Sequence, residues 1–319
     1  MKIMKIMKIT LMVISLSCIK NIKEIGNINK GINEDLIKYC IEGNKEKVIE
    51  LIIKGADINF INNKGSSALM LASSVGHKEI AEFLIEKGTD VNAVGKKRDP
   101  ALMVAIKKGH IEVVKLLIAK GADINKKGSN NEAALTYSCK DKNYEIIKLL
   151  IEKGANINTV NSYGNSALMS ASMRGHKEVV ELLIEKGADV NITNNYSDSA
   201  LTLASAGGRK ELVELLIAKG ADVNIINNYR DSALTLASVG CYKEIVKILI
   251  EKEADINIKN NHGRTALMLV LEKDDTELAE FLIEKGADVN IRDIYGTTCL
   301  FYAFDTENTK MIKLLLKKG

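Results

Sequence analysis

The feature that most constrains this chain is a short motif that returns at one fixed interval. A small residue followed by leucine marks each copy, and successive copies are 33 residues apart. The pairs begin at Ala68, Ala101, Ala134, Ala167, Ala200, Ala233, Ala266 and Cys299. Self-similarity at a period of roughly 20–50 residues indicates a repeat architecture, in which one supersecondary unit stacks on the next.

The copy at residues 161–193, NSYGNSALMSASMRGHKEVVELLIEKGADVNIT, shows what each unit contains. Ser166 precedes the Ala-Leu pair and is a suitable N-cap for a short first helix. After a break at Gly175, apolar residues recur at helical spacing and give a second helix one apolar face. Gly187 stands where a left-handed C-cap is needed. The sequence therefore predicts turn, helix, turn, helix and an extended arm, without a sheet.

A 33-residue unit that ends in Gly-Ala-Asp-Val-Asn resembles the ankyrin repeat. The resemblance implies an all-α solenoid of stacked helix–turn–helix units, in a single repeat domain over residues 29–319. Its nine repeats are expected at 29–61, 62–94, 95–127, 128–160, 161–193, 194–226, 227–259, 260–292 and 293–319. The family usually opens its first helix with Thr-Pro-Leu-His. Here Ala mostly replaces the Pro, and Met, Thr or Phe replaces the His, so the family's hydrogen-bond network along the loops lacks its usual residue.

Three repeats depart from the pattern at their turns. Glu253 replaces the closing glycine of repeat 7, where a left-handed residue other than glycine costs about 1–2 kcal/mol. Asp274-Asp275 in repeat 8 and Lys142-Asn143 in repeat 4 replace the Gly-His pair that precedes the second helix. We expect local fraying to begin at these turns.

Residues 1–17 differ from the repeats and predict an export signal. Three lysines and no acid come first, a short apolar run follows, and Cys18 comes next. The run is far shorter than the roughly 20 apolar residues that span a bilayer. Ser17-Cys18 resembles the end of a bacterial lipoprotein signal, in which the cysteine is acylated after cleavage, and residues 18–28 then form a tether. An ordinary secretory signal and an uncleaved arm of a cytoplasmic protein remain alternatives.

Charge and motif content argue against several classes of function. The formal net charge is +4, and removal of Lys2, Lys5 and Lys8 with the signal leaves +1. Acids and bases are interspersed without a basic stripe, so nucleic acid is not an expected partner. The five cysteines form no Cys-x-x-Cys and no pairing with His at metal spacing. No phosphate loop or nucleophile elbow is present, so we expect no metal, no cofactor and no catalysis.

Recurring polar residues are interpreted as parts of the scaffold. His77, His110 and His176 share one position before the second helix. A glutamate recurs in the first turn of the second helices, where it complements the helix dipole. Cys40 and Cys139 share a position in the first helix and are expected in the core.

The turn tips and the exposed ends of the first helices form the predicted partner-binding surface, because ankyrin proteins bind partners there. The third residue of the turn is tyrosine in repeats 5, 6, 7 and 9, and the first helices of repeats 5 to 7 carry Met173, Ala206 and Val239 near their ends, where repeats 3 and 8 carry charged residues. The candidate residues are Tyr163, Tyr196, Tyr229, Tyr295, Met173, Arg174, Ala206 and Val239. Recent duplication is the alternative explanation of the matching tyrosines, because residues 194–205 and 227–238 are near copies.

These features together predict a non-catalytic scaffold that binds another protein. We expect a monomeric solenoid that is exported and held at the cell envelope by a lipid on Cys18. Two alternatives stay open. One is a dedicated regulatory or stabilising subunit of a cell-envelope enzyme, and the other is a host-directed or cytoplasmic effector.

Overall fold

The structure consists of paired α-helices, and the residues that it describes contain no strand. The computed structural model describes residues 29–96, 98–141 and 143–319. The predicted signal 1–17 and tether 18–28, including Cys18, lie outside the described residues. The chain divides into two compact units, with the boundary between Ser129 and Asn130.

The first unit contains three helix pairs. They are α1 (29–42) with α2 (Lys45–Ile53), α3 (Ala68–Val75) with α4 (Lys78–Glu86), and α5 (Ala101–Lys107) with α6 (Ile111–Ala119). First helices pack on first helices, as in α3 against α5, and second helices pack on second helices, as in α4 against α6. Two isolated β-bridges, Ile61 with Ser67 and Val94 with Pro100, close turns in this unit.

The second unit repeats the same packing. A single 3-10 turn lies at Ser129–Asn131. The helices that follow are α7 (Ala134–Ser138), α8 (Tyr144–Glu152), α9 (Ala167–Arg174), α10 (Lys177–Glu185), α11 (Ala200–Ala206), α12 (Lys210–Ala218), α13 (Ala233–Val239), α14 (Lys243–Glu251), α15 (Ala266–Glu272), α16 (Thr276–Glu284), α17 (Cys299–Asp305) and α18 (Thr309–Lys318). The first helices α7, α9, α11, α13, α15 and α17 pack in sequence order, each on the next. The predicted all-α stack of helix–turn–helix units is confirmed.

Local hydrogen bonds explain where the first helices begin. The Ser166 hydroxyl accepts the N–H of Met169 at 3.2 Å and caps α9. In α11 the cap is reciprocal, because the Ser199 hydroxyl accepts the N–H of Thr202 while the Thr202 hydroxyl accepts the N–H of Ser199 at 2.8 Å. The leucine that follows each small residue turns inward, and Leu168 is 1% exposed. The recurring pair thus marks both a helix start and a core position.

The irregular turns have two different consequences. Glu253 adopts the left-handed conformation of the glycines at its position, with φ +62°, and Asp274 does the same with φ +56°. The histidines before the second helices provide no side-chain cap, whereas Asn143 accepts the N–H of Ile146 at 3.3 Å and Asp275 accepts the N–H of Leu278 at 3.2 Å. Repeats 4 and 8 therefore gain a helix cap where they lose the histidine, which offsets part of the expected fraying.

The asparagine at the end of each arm bonds its repeat to the next one. The Asn191 side chain accepts the N–H of Asp222 at 2.8 Å and donates to the carbonyl of Gly220 at 3.0 Å. Asn92, Asn158 and Asn224 make the same two kinds of bond to the repeats that follow them. One amide side chain satisfies a donor and an acceptor of the neighbouring backbone, which gives a physical reason for asparagine at this position.

A second row of amides lies beneath the turn tips. The Asn194 Oδ1 accepts the N–H of Tyr196 and the N–H of Asp198, both at 2.9 Å, and its Nδ2 donates to the Asn165 side chain at 2.9 Å. The buried residues at this position are Asn161, Asn194, Asn227, Asn260 and Asp293. These side chains supply a hydrogen-bond network along the loops without the histidine that the ankyrin pattern uses.

We predict that Glu253→Gly raises the free energy of unfolding by about 1 kcal/mol, because glycine adopts a left-handed conformation without steric cost. Urea denaturation followed by circular dichroism measures the change. Gly220→Ala is the matched control at the same position one repeat earlier, where φ is +86° and a Cβ would meet no other atom. Gly220→Ala should lower the free energy of unfolding by a similar amount. Equal stability of Glu253→Gly and the unchanged protein would contradict this account of the turn.

We predict that Asn194→Ala lowers the free energy of unfolding by about 2 kcal/mol, because two backbone N–H groups at the tip lose their acceptor. Asn194→Asp should retain most of the stability, since Asp293 occupies the same position in repeat 9 and accepts the N–H of Tyr295 and of Thr297 at 2.9 Å. Denaturant titration compares the two variants. If the Asp variant is as unstable as the Ala variant, acceptance of these N–H groups is not what the position requires.

Candidate partner-binding surface

Four tyrosines occupy turn tips, and their side chains are exposed to solvent. The exposed fractions are 50% for Tyr163, 48% for Tyr196, 59% for Tyr229 and 77% for Tyr295. The backbone beneath each ring is fixed, because its N–H donates to the buried Asn or Asp two residues earlier at 2.9 Å. Each tip therefore combines an ordered backbone with an accessible aromatic ring.

Three of the tyrosines lie on adjacent tips. The carbonyl of Tyr163 accepts the N–H of Asn195 at 3.0 Å, the carbonyl of Tyr196 accepts the N–H of Asn228 at 2.8 Å, and the next repeat continues the pattern from Tyr229. His262 occupies the following tip, so Tyr295 lies two repeats beyond Tyr229. The structure thus brings three candidate tyrosines into one row and leaves the fourth apart from it.

The candidate residues on the first helices are also exposed. Met173 is 44% exposed near the end of α9, Val239 is 49% exposed at the end of α13, and Arg174 and Ala206 are exposed at the ends of α9 and α11. Met173 and Arg174 lie in the same repeat as Tyr163, Ala206 lies in the repeat of Tyr196, and Val239 lies in the repeat of Tyr229. Repeats 5 to 7 therefore expose both the aromatic and the apolar part of the predicted surface.

The sequence analysis missed a second exposed apolar area, in the first unit. Ile41 is 44% exposed and Val75 is 38% exposed at the ends of α1 and α3. Ile41 also lines a groove of about 480 Å³ together with Asn62 and Leu71. The sequence could have revealed this apolar area, because Ile41 holds the same repeat position as Met173. No tyrosine tip accompanies this groove in the first unit.

Charged side chains at or next to the two ends of the first helices of repeats 3, 4 and 8 form ion pairs within their own repeats. The pairs are Lys107 with Asp99 at 2.7 Å, Lys140 with Glu132 at 2.6 Å and Arg264 with Glu272 at 3.0 Å. In every case one partner lies just before the first helix and the other lies eight residues later, near its end. The sequence analysis recognised charged ends in repeats 3 and 8 but missed this pairing, although the constant spacing of opposite charges could have revealed it.

Repeats 6 and 7 keep the acidic member of this pair and lack the basic one. Asp198 and Asp231 precede their first helices, while the positions eight residues later hold Ala206 and Val239. Burial and the neighbouring charge of Asp198 raise the pKa of Asp231, against the hydrogen bonds that it accepts from Asn260 and Thr235. The pKa of Asp231 is therefore shifted in the opposite direction from that of Asp99, its equivalent in repeat 3.

Asp99 shows how an ion-pair partner affects the pKa of the carboxyl at this position of the repeat. Burial raises the pKa of its carboxyl, but hydrogen bonds from Lys107 and Ser129 outweigh burial, and the net pKa lies below the usual value. The lysine ammonium and the Ser129 hydroxyl both contact the carboxylate at 2.7 Å. The ammonium and the Ser129 hydrogen bonds together therefore reverse the direction of the pKa shift that burial alone would cause at this position.

The recurring histidines contact the backbone of the preceding repeat. Ring nitrogens of His77, His110 and His176 lie 3.1 Å from carbonyl oxygens at the ends of the preceding first helices. A carbonyl oxygen only accepts, so the facing nitrogen carries the proton. The rings of His77 and His110 also lie close against Gly43 and Gly76. These contacts give the histidines a role in joining neighbouring repeats.

The cysteines that the structure describes have no activated thiol. Cys40, Cys139 and Cys299 are buried, and burial raises the pKa of each thiol to about 12. No group of three or more His, Cys, Asp and Glu side chains within the described ranges is placed to hold a metal ion. The helices of this part of the chain are all too short or too polar to cross a membrane.

Comparison with known families agrees with this geometry. The model of ankyrin repeats in three copies matches residues 36–128, 126–194, 187–260 and 253–319, which overlap and cover most of the chain. No curated protein matches the chain. The left-handed glycines, the arm asparagines and every helix from α2 onward fall inside the matched ranges, whereas α1 begins before them. The chain therefore belongs to the ankyrin-repeat family.

Proposed function

We propose that the protein is a non-catalytic scaffold that binds another protein through one face of repeats 5 to 7. This face consists of the tips Tyr163, Tyr196 and Tyr229 with the helix ends at Met173, Ala206 and Val239; we call it the tyrosine face. Ankyrin repeats are protein-interaction modules, which sets the class of function. The observation that carries the proposal is a row of accessible rings on three adjacent, hydrogen-bonded tips.

The physical reason to choose these residues is their combination of large area and low mobility. Tyrosine offers a broad amphipathic ring with few rotatable bonds, and it is enriched at binding hot spots. Helix packing sets neighbouring tips roughly 10 Å apart. Because the buried asparagines already hold the tip backbone, binding loses little further backbone entropy. The mechanism is presentation of a pre-ordered surface, without turnover.

The proposal for cellular location rests on the sequence of residues 1–18. We propose that the chain is exported, that Cys18 becomes the first residue of the mature protein, and that it carries lipid. One acyl chain of myristoyl length binds membranes marginally, whereas two anchor a protein stably. The tether 18–28 would then connect the anchor to the first repeat. A secreted protein and a host-directed or cytoplasmic effector are the alternatives.

We predict that combined replacement of Tyr163, Tyr196 and Tyr229 by Ala weakens partner binding by at least about 2 kcal/mol. Each replacement should change the free energy of unfolding by less than about 1 kcal/mol, because the rings are half exposed. Tyr144→Ala is the matched control, since Tyr144 is 45% exposed at the start of the second helix α8. It should leave binding unchanged.

The affinity measurement on these variants requires a known partner, and a photo-crosslinking amino acid can identify it. We expect a discrete adduct in cells when the crosslinker replaces Tyr196 and none when it replaces Tyr144. One stoichiometric enzyme in the adduct would favour the dedicated-subunit alternative, whereas several proteins would favour a general adaptor. Unchanged affinity of the triple Ala variant, despite an intact fold, would mean that the tyrosines are relics of duplication.

We predict that the unchanged protein fractionates with membranes and that Cys18→Ala releases it or leaves the precursor uncut. The reason is that the sulfur of Cys18 would be the attachment point of the lipid. Cell fractionation with mass spectrometry of the N-terminus measures both results. Cys40→Ala controls for loss of a cysteine as such. A soluble wild-type protein that retains residues 1–17 would contradict the lipid anchor.

A further inference from the structure

Asp198 and Asp231, which lie beside the tyrosine face, hold the repeat position at which repeats 3 and 4 pair a carboxylate with a lysine ammonium. In repeats 3 and 4 the carboxylate before the first helix contacts a lysine ammonium at 2.6–2.7 Å. That lysine comes from the position eight residues later, so the repeat itself shows where a cation is held at this site. Ala206 and Val239 leave Asp198 and Asp231 without it.

Neighbouring side chains do not replace the missing cation. Asp198 accepts a hydrogen bond from Asn227 Nδ2 at 2.9 Å, and Asp231 accepts one from the Asn260 side chain and a long one from the Thr235 hydroxyl at 3.4 Å, so the partners of both carboxylates are uncharged. Arg230 lies beside Asp231 in sequence, but its Nε donates to the carbonyl of Lys259 at 3.3 Å. Among the described residues, no lysine or arginine forms an ion pair with either carboxylate. The imidazole of His262 on the next tip lowers the pKa of Asp231 when it carries charge, but among the described residues it forms no ion pair with that carboxylate.

The two carboxylates belong to the same tips as two of the tyrosines. The N–H of Tyr196 and the N–H of Asp198 share one Asn194 oxygen as acceptor, and the N–H of Tyr229 and of Asp231 share one Asn227 oxygen. Each tip therefore presents an aromatic ring and a partly buried carboxylate within three residues. A lysine or arginine side chain is the group that satisfies both, through an ion pair and through cation–π attraction.

We infer that the partner of the tyrosine face is a basic segment, whose lysine or arginine side chains occupy the positions beside Asp198 and Asp231 that Lys107 and Lys140 occupy in their own repeats. This inference rests on the proposed function, because it specifies the chemistry of the partner at the same face. Two cationic side chains about one repeat apart, roughly 10 Å, would contact both tips. An acidic segment would meet like charge at both positions and is disfavoured.

Lysines introduced into the protein itself can occupy the two cation positions beside Asp198 and Asp231. In the variant Ala206→Lys with Val239→Lys, each new lysine lies eight residues after its aspartate, as Lys107 lies after Asp99. We expect the pKa of Asp231, followed by NMR titration, to fall as its carboxyl gains an ammonium partner. A variant with glutamine at both positions has similar bulk without the charge, and it should not lower that pKa.

Binding is measured with three labelled synthetic peptides, each of four copies of Leu-X-Ser, in which X is Lys, Gln or Glu. Fluorescence anisotropy gives the affinity of the folded protein for each. We expect the Lys peptide to bind about tenfold more tightly than the Gln peptide, and the Glu peptide to bind least. Asp198→Asn with Asp231→Asn should remove most of this preference, and so should the double lysine variant. Glu185→Gln with Glu211→Gln removes the same charge from exposed parts of second helices and should leave it unchanged.

Every result of the peptide experiment either supports the inference or overturns it. A preference for the Lys peptide that is lost in the Asn and Lys variants and retained in the Gln control supports it. Equal binding of the three peptides, no binding of the Lys peptide, or equal loss in the Glu185 and Glu211 control overturns it. The proposed function is tested separately, because an adduct from the crosslinker at Tyr196 would leave the tyrosine face in place as the binding surface even when the peptides show no charge preference.

Discussion

Within each of the two compact units, the described helix pairs depend on the burial of one repeat's apolar face by the next. A helix pair of this length has too little apolar surface to fold alone, so its stability is the sum of its own terms and those of its interfaces. The buried leucines and the small residues of the first helices meet this requirement, as Leu168 and Ala171 do in α9. The arm asparagines add directional bonds to the same interfaces, and these bonds fix the register of neighbouring repeats.

Most of the fold was predictable because it repeats. A pattern that is ambiguous in a single copy becomes clear when many copies share it, so the start of α9 at Ala167 and the left-handed Gly187 after α10 were predictable from the sequence. Glu253 was identified for the same reason, as a break in a regular pattern. The helix caps at Asn143 and Asp275 were less visible, because each occurs where the pattern is already broken.

The candidate site was only partly predictable. A repeat position indicates that Tyr196 is at a tip, but it does not show that Asn194 holds both Tyr196 and Asp198 by their N–H groups. The ion pair of Lys107 with Asp99 joins the start and the end of one first helix, and the structure shows that the two side chains meet at 2.7 Å. Comparison of this ion pair with repeats 6 and 7 shows that Asp198 and Asp231 lack the lysine partner that Asp99 has. Differences among copies, more than the shared pattern, therefore carry the information about binding.

We propose that partner contact is confined to the tips and first helices of repeats 5 to 7. Hydrogen exchange of the protein with and without its crosslink-identified partner tests this claim most directly. The account predicts slower exchange on binding at residues 161–165, 194–198 and 227–231, with no change in the second helices α10, α12 and α14. Protection of those second helices, or protection in the first unit with none at the three tips, would contradict it.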